Sequence, residues 1–147
     1  MSDKIYKFEC PWDREKLMSE FNRLGMVTVS SYNSTWYKTP AEGPYAKSIA
    51  KSFPGNPYVG YYLQPEGTLV KPHKDGVATA RVNVLLSGAE EVLHIGDEDV
   101  VYDCALLNVN KYTHWLDESK TARLMFSIVW HEKQHDFNYV KRLLASS

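Results

Sequence analysis

Three side chains in the second half of this chain could hold a metal ion. His73 and Asp75 flank Lys74. On an extended backbone, residues two apart project to the same face, so the imidazole and the carboxylate converge on one point. His114, near the end of a run of strand-like segments, supplies a second imidazole. Two imidazoles and one carboxylate suit a divalent ion such as Fe(II) and leave three coordination positions open. Nine residues after His114, Arg123 stands at the head of an apolar stretch. A guanidinium entering a β core is costly unless an anion meets it, and its planar fork takes a carboxylate bidentately. Arg123 therefore reads as a binding post for a dicarboxylate.

The elements that must position these groups are mostly strands. Alternation and β-branched or aromatic content predict strands over Tyr58–Gln64, 69–72, 80–86, 91–95, 100–102, 105–108 and 124–130. Turn signals separate them: Pro65-Glu66-Gly67, Ser87-Gly88 and Gly96-Asp97. Many short strands at this spacing mean a sandwich, jelly roll or barrel. Upstream, residues 13–25 carry apolar side chains at spacings of three and four, with acids in the first turn and Gly25 at the end, which predicts a helix. A strand follows at 26–30. Residues 32–57 contain Pro40, Pro44, Pro54 and Pro57, and read as an irregular arm around one short helix at 45–53, not as sheet. Residues 135–144 predict a terminal helix. The expected organisation is one domain, 1–147: a helical and Pro-rich arm (1–57), a β core (58–132) and a C-terminal helix (133–147).

Composition narrows the function classes. A chain of 147 residues is the usual size of one domain. A net charge of −1 provides no broad basic face, so nucleic acid is not an expected partner. No run approaches the ~18 apolar residues of a membrane span, and the N-terminus leads into no signal-peptide core. A cytoplasmic setting and reduced thiols at Cys10 and Cys104 are therefore expected.

At this point the sequence resembles the Fe(II)/2-oxoglutarate-dependent dioxygenases. His73-x-Asp75, a distal His114 and Arg123 nine residues on carry the resemblance. So do the stretches Leu63 to His73, Arg81-Val82-Asn83, and His114-Trp115 through His131. The finer likeness is to the aspartyl/asparaginyl β-hydroxylase-like branch, which includes hydroxylases of free proline. It covers roughly residues 58–132. The resemblance implies a mainly β fold, the double-stranded β-helix (jelly roll, cupin-like), with the N-terminal helical arm and short C-terminal helix added. It implies that His73, Asp75 and His114 hold Fe(II), and that Arg123 grips the distal carboxylate of the cosubstrate 2-oxoglutarate. Arg81 would reach toward the same cosubstrate, and Asn83, two residues on, would look into the pocket. With O₂ as the second cosubstrate, the implied activity is hydroxylation of an amino acid or a peptidyl side chain, coupled to decarboxylation of 2-oxoglutarate to succinate. The partner is thus a small molecule or short peptide. One departure bears on the substrate. Animal aspartyl hydroxylases carry Gly where this chain has Asp75, so aspartyl preference does not transfer directly.

Other motifs compete. His131-Glu132-Lys133-Gln134-His135 spells a zinc-metallopeptidase motif, which needs both histidines on one helix face and a third ligand beyond. Here it follows a β-type run and no Glu or His comes after His135, so a solvated strand-to-helix corner is expected. A non-catalytic jelly-roll metal- or ligand-binding module is the other alternative; Asp75 and Arg123 argue against it. His94 is expected to be a satisfied or surface residue, Cys104 a small core residue, and Asp97, Glu98 and Asp99 a solvated hairpin tip. Val129 occupies the place where nucleic-acid demethylases of this family carry a second Arg.

Overall fold

The computed structural model describes residues 2–31, 34–39 and 42–146. Among the described residues, eleven strands and three helices occur in the order β1 (Ile5–Lys7), α1 (Arg14–Leu24), β2 (Val27–Ser31), β3 (Ser34–Lys38), α2 (Pro44–Lys51), β4 (Tyr58–Gln64), β5 (Val70–His73), β6 (Ala80–Ser87), β7 (Leu93–Ile95), β8 (Glu98–Val100), β9 (Cys104–Leu107), β10 (His114–Leu116), β11 (Arg123–Trp130) and α3 (Phe137–Ala145). They form two antiparallel sheets. The larger has the order β1-β9-β6-β11-β4-β3-β2, and the smaller β5-β10-β7-β8. This is the jelly-roll arrangement of a double-stranded β-helix, with helices added on one side.

Strand alternation divides the larger sheet into two faces. Leu124, Phe126, Ile128 and Trp130 of β11 join Val59 and Tyr61 of β4, and Val82 and Val84 of β6, in a core that the helices cover. Leu17 and Phe21 from α1, Ala46 and Ile49 from α2, and Phe137 and Val140 from α3 complete it. On the opposite face, Met125 and Val129 of β11, with Leu85 and Leu107, meet Val70, Leu93, Ile95 and Leu116 from the smaller sheet. This second core closes one end of the space between the sheets. Arg123, the first residue of β11, falls on the same face by alternation.

The helices form where local chemistry closes their ends. Asp13 caps α1 by accepting from the Glu15 and Lys16 N–H groups at 3.0 and 3.2 Å. Gly25 ends the helix at φ 76°. Helix α2 begins after Gly43, which has no capping side chain. Its first free N–H groups are met instead by Glu20 of α1, which accepts from Tyr45 N at 2.8 Å and Ala46 N at 3.0 Å. The same buried carboxylate accepts from the Tyr61 hydroxyl at 2.8 Å, joining two helices to the sheet.

Several expectations are corrected. Residues 34–38 form β3, paired with β2 and with Tyr62 and Leu63 of β4, so part of the presumed irregular arm is sheet. Tyr32, Pro40 and Ala41 of that arm lie outside the described residues. β1 adds a strand to the sheet edge within the presumed helical arm, pairing with β9. Glu98 and Asp99 belong to β8, not to a hairpin tip, and Tyr102 follows that strand instead of ending it. Among the described residues, no helix is long and apolar enough to cross a membrane.

Candidate active site

His73 and His114 meet because their strands are hydrogen-bonded neighbours. In the pairing of β5 with β10 they stand directly opposite, and cross-strand partners hold their Cβ atoms about 5 Å apart. The two imidazole rings lie 4.3 Å apart, centroid to centroid. Asp75, two residues past His73, is held by its backbone: its N–H donates to Val109 O at 2.9 Å, and Asn110 Nδ2 donates to its carbonyl at 3.2 Å. One Asp75 oxygen then faces both rings, 3.3 Å from Nε2 of His73 and 3.3 Å from Nε2 of His114. Among the described residues, these three make up the one group of His, Cys, Asp or Glu side chains able to close around a metal ion, with ligand atoms within 4.8 Å of one another.

The backbone also sets which ring nitrogen faces inward. His73 Nδ1 lies 2.8 Å from Lys71 O and His114 Nδ1 lies 3.2 Å from Tyr112 O. With Nδ1–H donating to these carbonyls, Nε2 is the nitrogen of each ring directed at Asp75, and it becomes free for a metal ion once it gives up its proton. Burial pushes the Asp75 carboxyl up. The hydrogen bond from His114, the Arg81 charge and the charges of both imidazoles outweigh it, and hold the group below its ordinary value. Burial depresses His73, opposed by the Lys71 carbonyl and reinforced by His114. Both shifts favour the metal-ready forms, an ionised carboxylate and a neutral imidazole.

The three groups line a cavity of about 130 Å³ between the sheets, shared with Arg81, Asn83, Tyr102 and Arg123. Arg123 is 2% exposed. It donates to Gln64 Oε1 at 2.8 Å and to the Tyr102 hydroxyl at 3.4 Å. Its Nε has no hydrogen-bond partner, and among the described residues no carboxylate pairs with it. Arg81 does something different from Arg123: its Nε lies 3.5 Å from Asp75 Oδ2 and its Nη1 donates to Ser127 Oγ at 3.4 Å. Asn83 lines the cavity, yet its amide is engaged by the protein. It donates to the Tyr102 hydroxyl at 3.1 Å and accepts from Ser127 Oγ at 2.7 Å. A chain Ser127–Asn83–Tyr102–Arg123 therefore holds the guanidinium from behind.

The sequence reading missed Gln64, Tyr102 and Ser127 as members of this site. Gln64 stands opposite Arg123 in the β4–β11 register and Ser127 opposite Asn83 in the β6–β11 register. The even spacing of Arg123, Met125 and Ser127 is the signal that could have raised Ser127.

The competing motifs separate from the site. His131 and Glu132 lie in the corner between β11 and α3, so no helical turn brings His131 and His135 together. His131 packs at a tilt against Tyr58, with centroids 5.7 Å apart, while His135 packs on Tyr139 at 4.9 Å. His94 points away from the cavity, between Asp99 at 2.5 Å and Asp117 at 2.8 Å, and stacks on Trp115. Cys104 is buried in the helix-covered core.

No family model matches the chain, and no curated protein matches its sequence. Solved structures do share its architecture. A Pseudomonas putida prolyl-4-hydroxylase superposes with a TM-score of 0.61 at 13% identity, over 81% of this chain and 86% of that one. An oxidoreductase of the 2OG-Fe(II) oxygenase family from Burkholderia pseudomallei gives 0.54 at 10% identity, covering 80% and 77%. A predicted oxalate decarboxylase from Thermotoga maritima gives 0.54 at 14% identity, covering 76% and 96%. Identities this low speak to the fold alone, and the chain has the double-stranded β-helix fold.

Proposed function

We propose that this chain is an Fe(II)- and 2-oxoglutarate-dependent oxygenase that hydroxylates an amino acid or a peptidyl side chain, with 2-oxoglutarate converted to succinate. The observation that carries the reading is Arg123: a buried cation with no counter-ion among the described residues, in the same cavity as a two-histidine, one-carboxylate cluster. A buried unpaired charge is strongly unfavourable, so a fold that keeps one is built for an anion that arrives later. The likeness in fold to a prolyl-4-hydroxylase and to a 2OG-Fe(II) oxygenase supports the same reading.

His73, Asp75 and His114 would hold the iron, in the facial triad that leaves room for a bidentate cosubstrate and O₂. Bound iron, 2-oxoglutarate and O₂ together supply the oxidising power for attack on a C–H bond; the chain supplies binding, orientation and a dry site. Arg123 takes the distal carboxylate through its free Nε edge, while Gln64 and Tyr102 fix its plane. Arg81 steadies Asp75 by lying against its second oxygen, which makes it a positioning residue. Leu93, Leu107, Val109, Leu116 and Met125 give the cavity apolar walls that keep water from competing for the carboxylate.

The test is anaerobic addition of Fe(II) and 2-oxoglutarate. A weak visible charge-transfer band is expected in the parent and is lost in His114→Ala, which removes one ligand. A parent without the band, or a variant with unchanged Fe(II) affinity, would overturn the assignment.

A further inference from the structure

We propose that Cys10 and Cys104 are a reversible thiol–disulfide pair: a peroxide joins them, and the bond fastens the first strand, β1, to β9. Neither cysteine lines the metal-site cavity, so the inference stands apart from the oxygenase reading. Strand pairing brings the two residues together across more than half of the chain. The β1–β9 register places Lys7 opposite Ala105, and the ladder runs one step further, with Phe8 N–H donating to Cys104 O at 3.2 Å. The chain then crosses to α1. Arg14, the first residue of that helix, donates to Asp103 O through Nη2 at 3.2 Å and to Leu85 O through Nη1 at 2.6 Å. Residues 8 and 14 are thus both tied to the Asp103–Cys104 backbone, and Cys10 lies in the short span between them. There the Cys10 sulfur stands 3.6 Å from Trp12 O. Cys10 packs, with Phe8 and Trp12, against the helix-covered core that contains Cys104, and the two thiols meet in a hydrogen bond.

The two members differ as an attacking thiol differs from a resolving one. Cys10 is half-buried and reachable from solvent, whereas Cys104 is 1% exposed. Arg14 is held beside them by its two carbonyl bonds and by Asp103 Oδ2 at 3.3 Å. The bond from Cys104, then the Trp12 backbone and the Arg14 charge, hold the Cys10 thiol down at about 6 against the effect of burial. The bond with Cys10 and burial push Cys104 up. The thiolate is the reactive form of cysteine, so the accessible member is the one prepared to react and its sheltered neighbour keeps the proton.

The oxidant is hydrogen peroxide or another peroxide. The Cys10 thiolate attacks one peroxide oxygen, the O–O bond breaks, and a sulfenic acid forms on Cys10 while the departing hydroxide takes a proton to become water. The Cys104 sulfur then attacks the Cys10 sulfur. The S–S bond forms, the S–O bond breaks, and the leaving hydroxide takes the Cys104 proton as a second water. The two thiols together give up two electrons and two protons, and the peroxide is reduced. Because the bond closes a loop of more than half of the chain, it restricts the unfolded state and should stabilise the fold. A dithiol reverses the step by thiol–disulfide exchange.

The experiment treats the reduced full chain with equimolar hydrogen peroxide, with a chelator present so that no iron consumes the oxidant. Remaining thiols are blocked with N-ethylmaleimide, and the product is read by intact mass and by non-reducing peptide mapping. The parent should lose both reactive thiols and the mass of two hydrogens, yield a peptide linked through Cys10 and Cys104, and regain both thiols in dithiothreitol. Its urea midpoint should rise on oxidation. Cys10→Ser, changed at the more accessible position, should keep Cys104 as a free thiol under the same treatment and show no rise. The linkage is mapped on the parent, so it does not depend on the variant folding. Survival of both thiols, over-oxidation of Cys10 with Cys104 still free, or a bond formed only between two chains would overturn the proposal. A linked pair with an unchanged urea midpoint would overturn the claim that the bond fastens β1.

Discussion

Replacing Arg123 by Met should make the ligand-free protein more stable while removing its hold on 2-oxoglutarate. An ordinary structural arginine would show the opposite pattern. Arg123 is 2% exposed as a residue, and its guanidinium has one firm hydrogen bond, to Gln64 at 2.8 Å, and one long one, to Tyr102 at 3.4 Å. Losing these costs about 1–2 kcal/mol. Against that stands the burial of a cation without a partner, whose effective penalty is several kcal/mol per ion, and replacing buried charge by apolar volume often stabilises by about 1–4 kcal/mol. Tyr102 keeps its bond from Asn83, so Gln64 Oε1 is the main group left wanting. A net gain of about 1–3 kcal/mol is expected, or about 3–9 °C in unfolding midpoint for a chain of this size.

The ligand-bound state reverses the order. Truncating one partner of a buried charge pair costs about 2–4 kcal/mol, which is about 30- to 1000-fold in affinity. Urea unfolding with Mn(II) as a redox-inert metal, with and without 2-oxoglutarate, reads both effects at once. At a concentration 100 times its dissociation constant, 2-oxoglutarate should stabilise the parent by about 2.7 kcal/mol. A variant binding 100-fold more weakly would gain only about 0.4 kcal/mol at that concentration by the same relation. Arg123→Lys separates charge from geometry: it keeps the buried cation, so the ligand-free gain should vanish, and it loses the fork, so affinity should still fall. A Met variant that is less stable than the parent by about 2 kcal/mol, with an undiminished 2-oxoglutarate increment, would refute the idea that this cation waits for an anion.

Three further outcomes follow from the same packing. Gly88 has φ 74°, and a Cβ there would stand 2.5 Å from Ala122 O and 2.7 Å from Arg123 Cγ; Gly88→Ala should cost about 2 kcal/mol or more in urea unfolding and weaken 2-oxoglutarate, and parental affinity would detach the turn from the pocket. Glu20→Ala strands two N–H groups of α2 and the Tyr61 hydroxyl, so a loss of about 3 kcal/mol or more is expected; a loss below about 1 kcal/mol would show that water replaces the carboxylate. The hydrogen bond with Asp99, then that with Asp117, raises His94 above its usual 6.5. Its stabilisation is complete below 6.5, the unfolded value, and is lost as pH rises through the higher folded value. The parent should therefore exceed His94→Gln in stability at pH 6 and match it by pH 9; a pH-independent difference would remove the ion pairs as its cause.

What could be read from the chain divides by whether the determining interaction is local. Helix α1 was legible because its cap, its apolar spacing and its terminal glycine all lie within 13–25. β4 and β11 were legible as runs rich in aromatic and aliphatic residues, and His73-x-Asp75 because strand geometry converts a spacing of two into a shared face. β3 was hidden because the prolines around it are a strong local signal, while its pairing with β2 and β4 is distant in sequence. β10 is three residues long and has no periodicity to read. Glu20 looks like any helix-surface acid until α2 is seen to begin without a cap of its own. Gln64 and Ser127 are the most instructive, since each acquires its place only through register: Gln64 opposite Arg123, and Ser127 opposite Asn83. Register depends on the hydrophobic pattern of whole strands, and a slip of one residue sends every side chain to the other face. A one-residue slip of β4 against β11 would bury Gln64 among helices and remove the acceptor that fixes the Arg123 plane. The residues that could chelate can thus be read from spacing, but those that orient Arg123 are set by how strands pair. The carbonyls that point both imidazoles inward belong to the smaller sheet and its approaches, and the strand pair that aims Arg123 belongs to the larger, so a disturbed β4–β11 register should cost 2-oxoglutarate affinity while the metal ligands, held by the β5–β10 pairing, keep theirs.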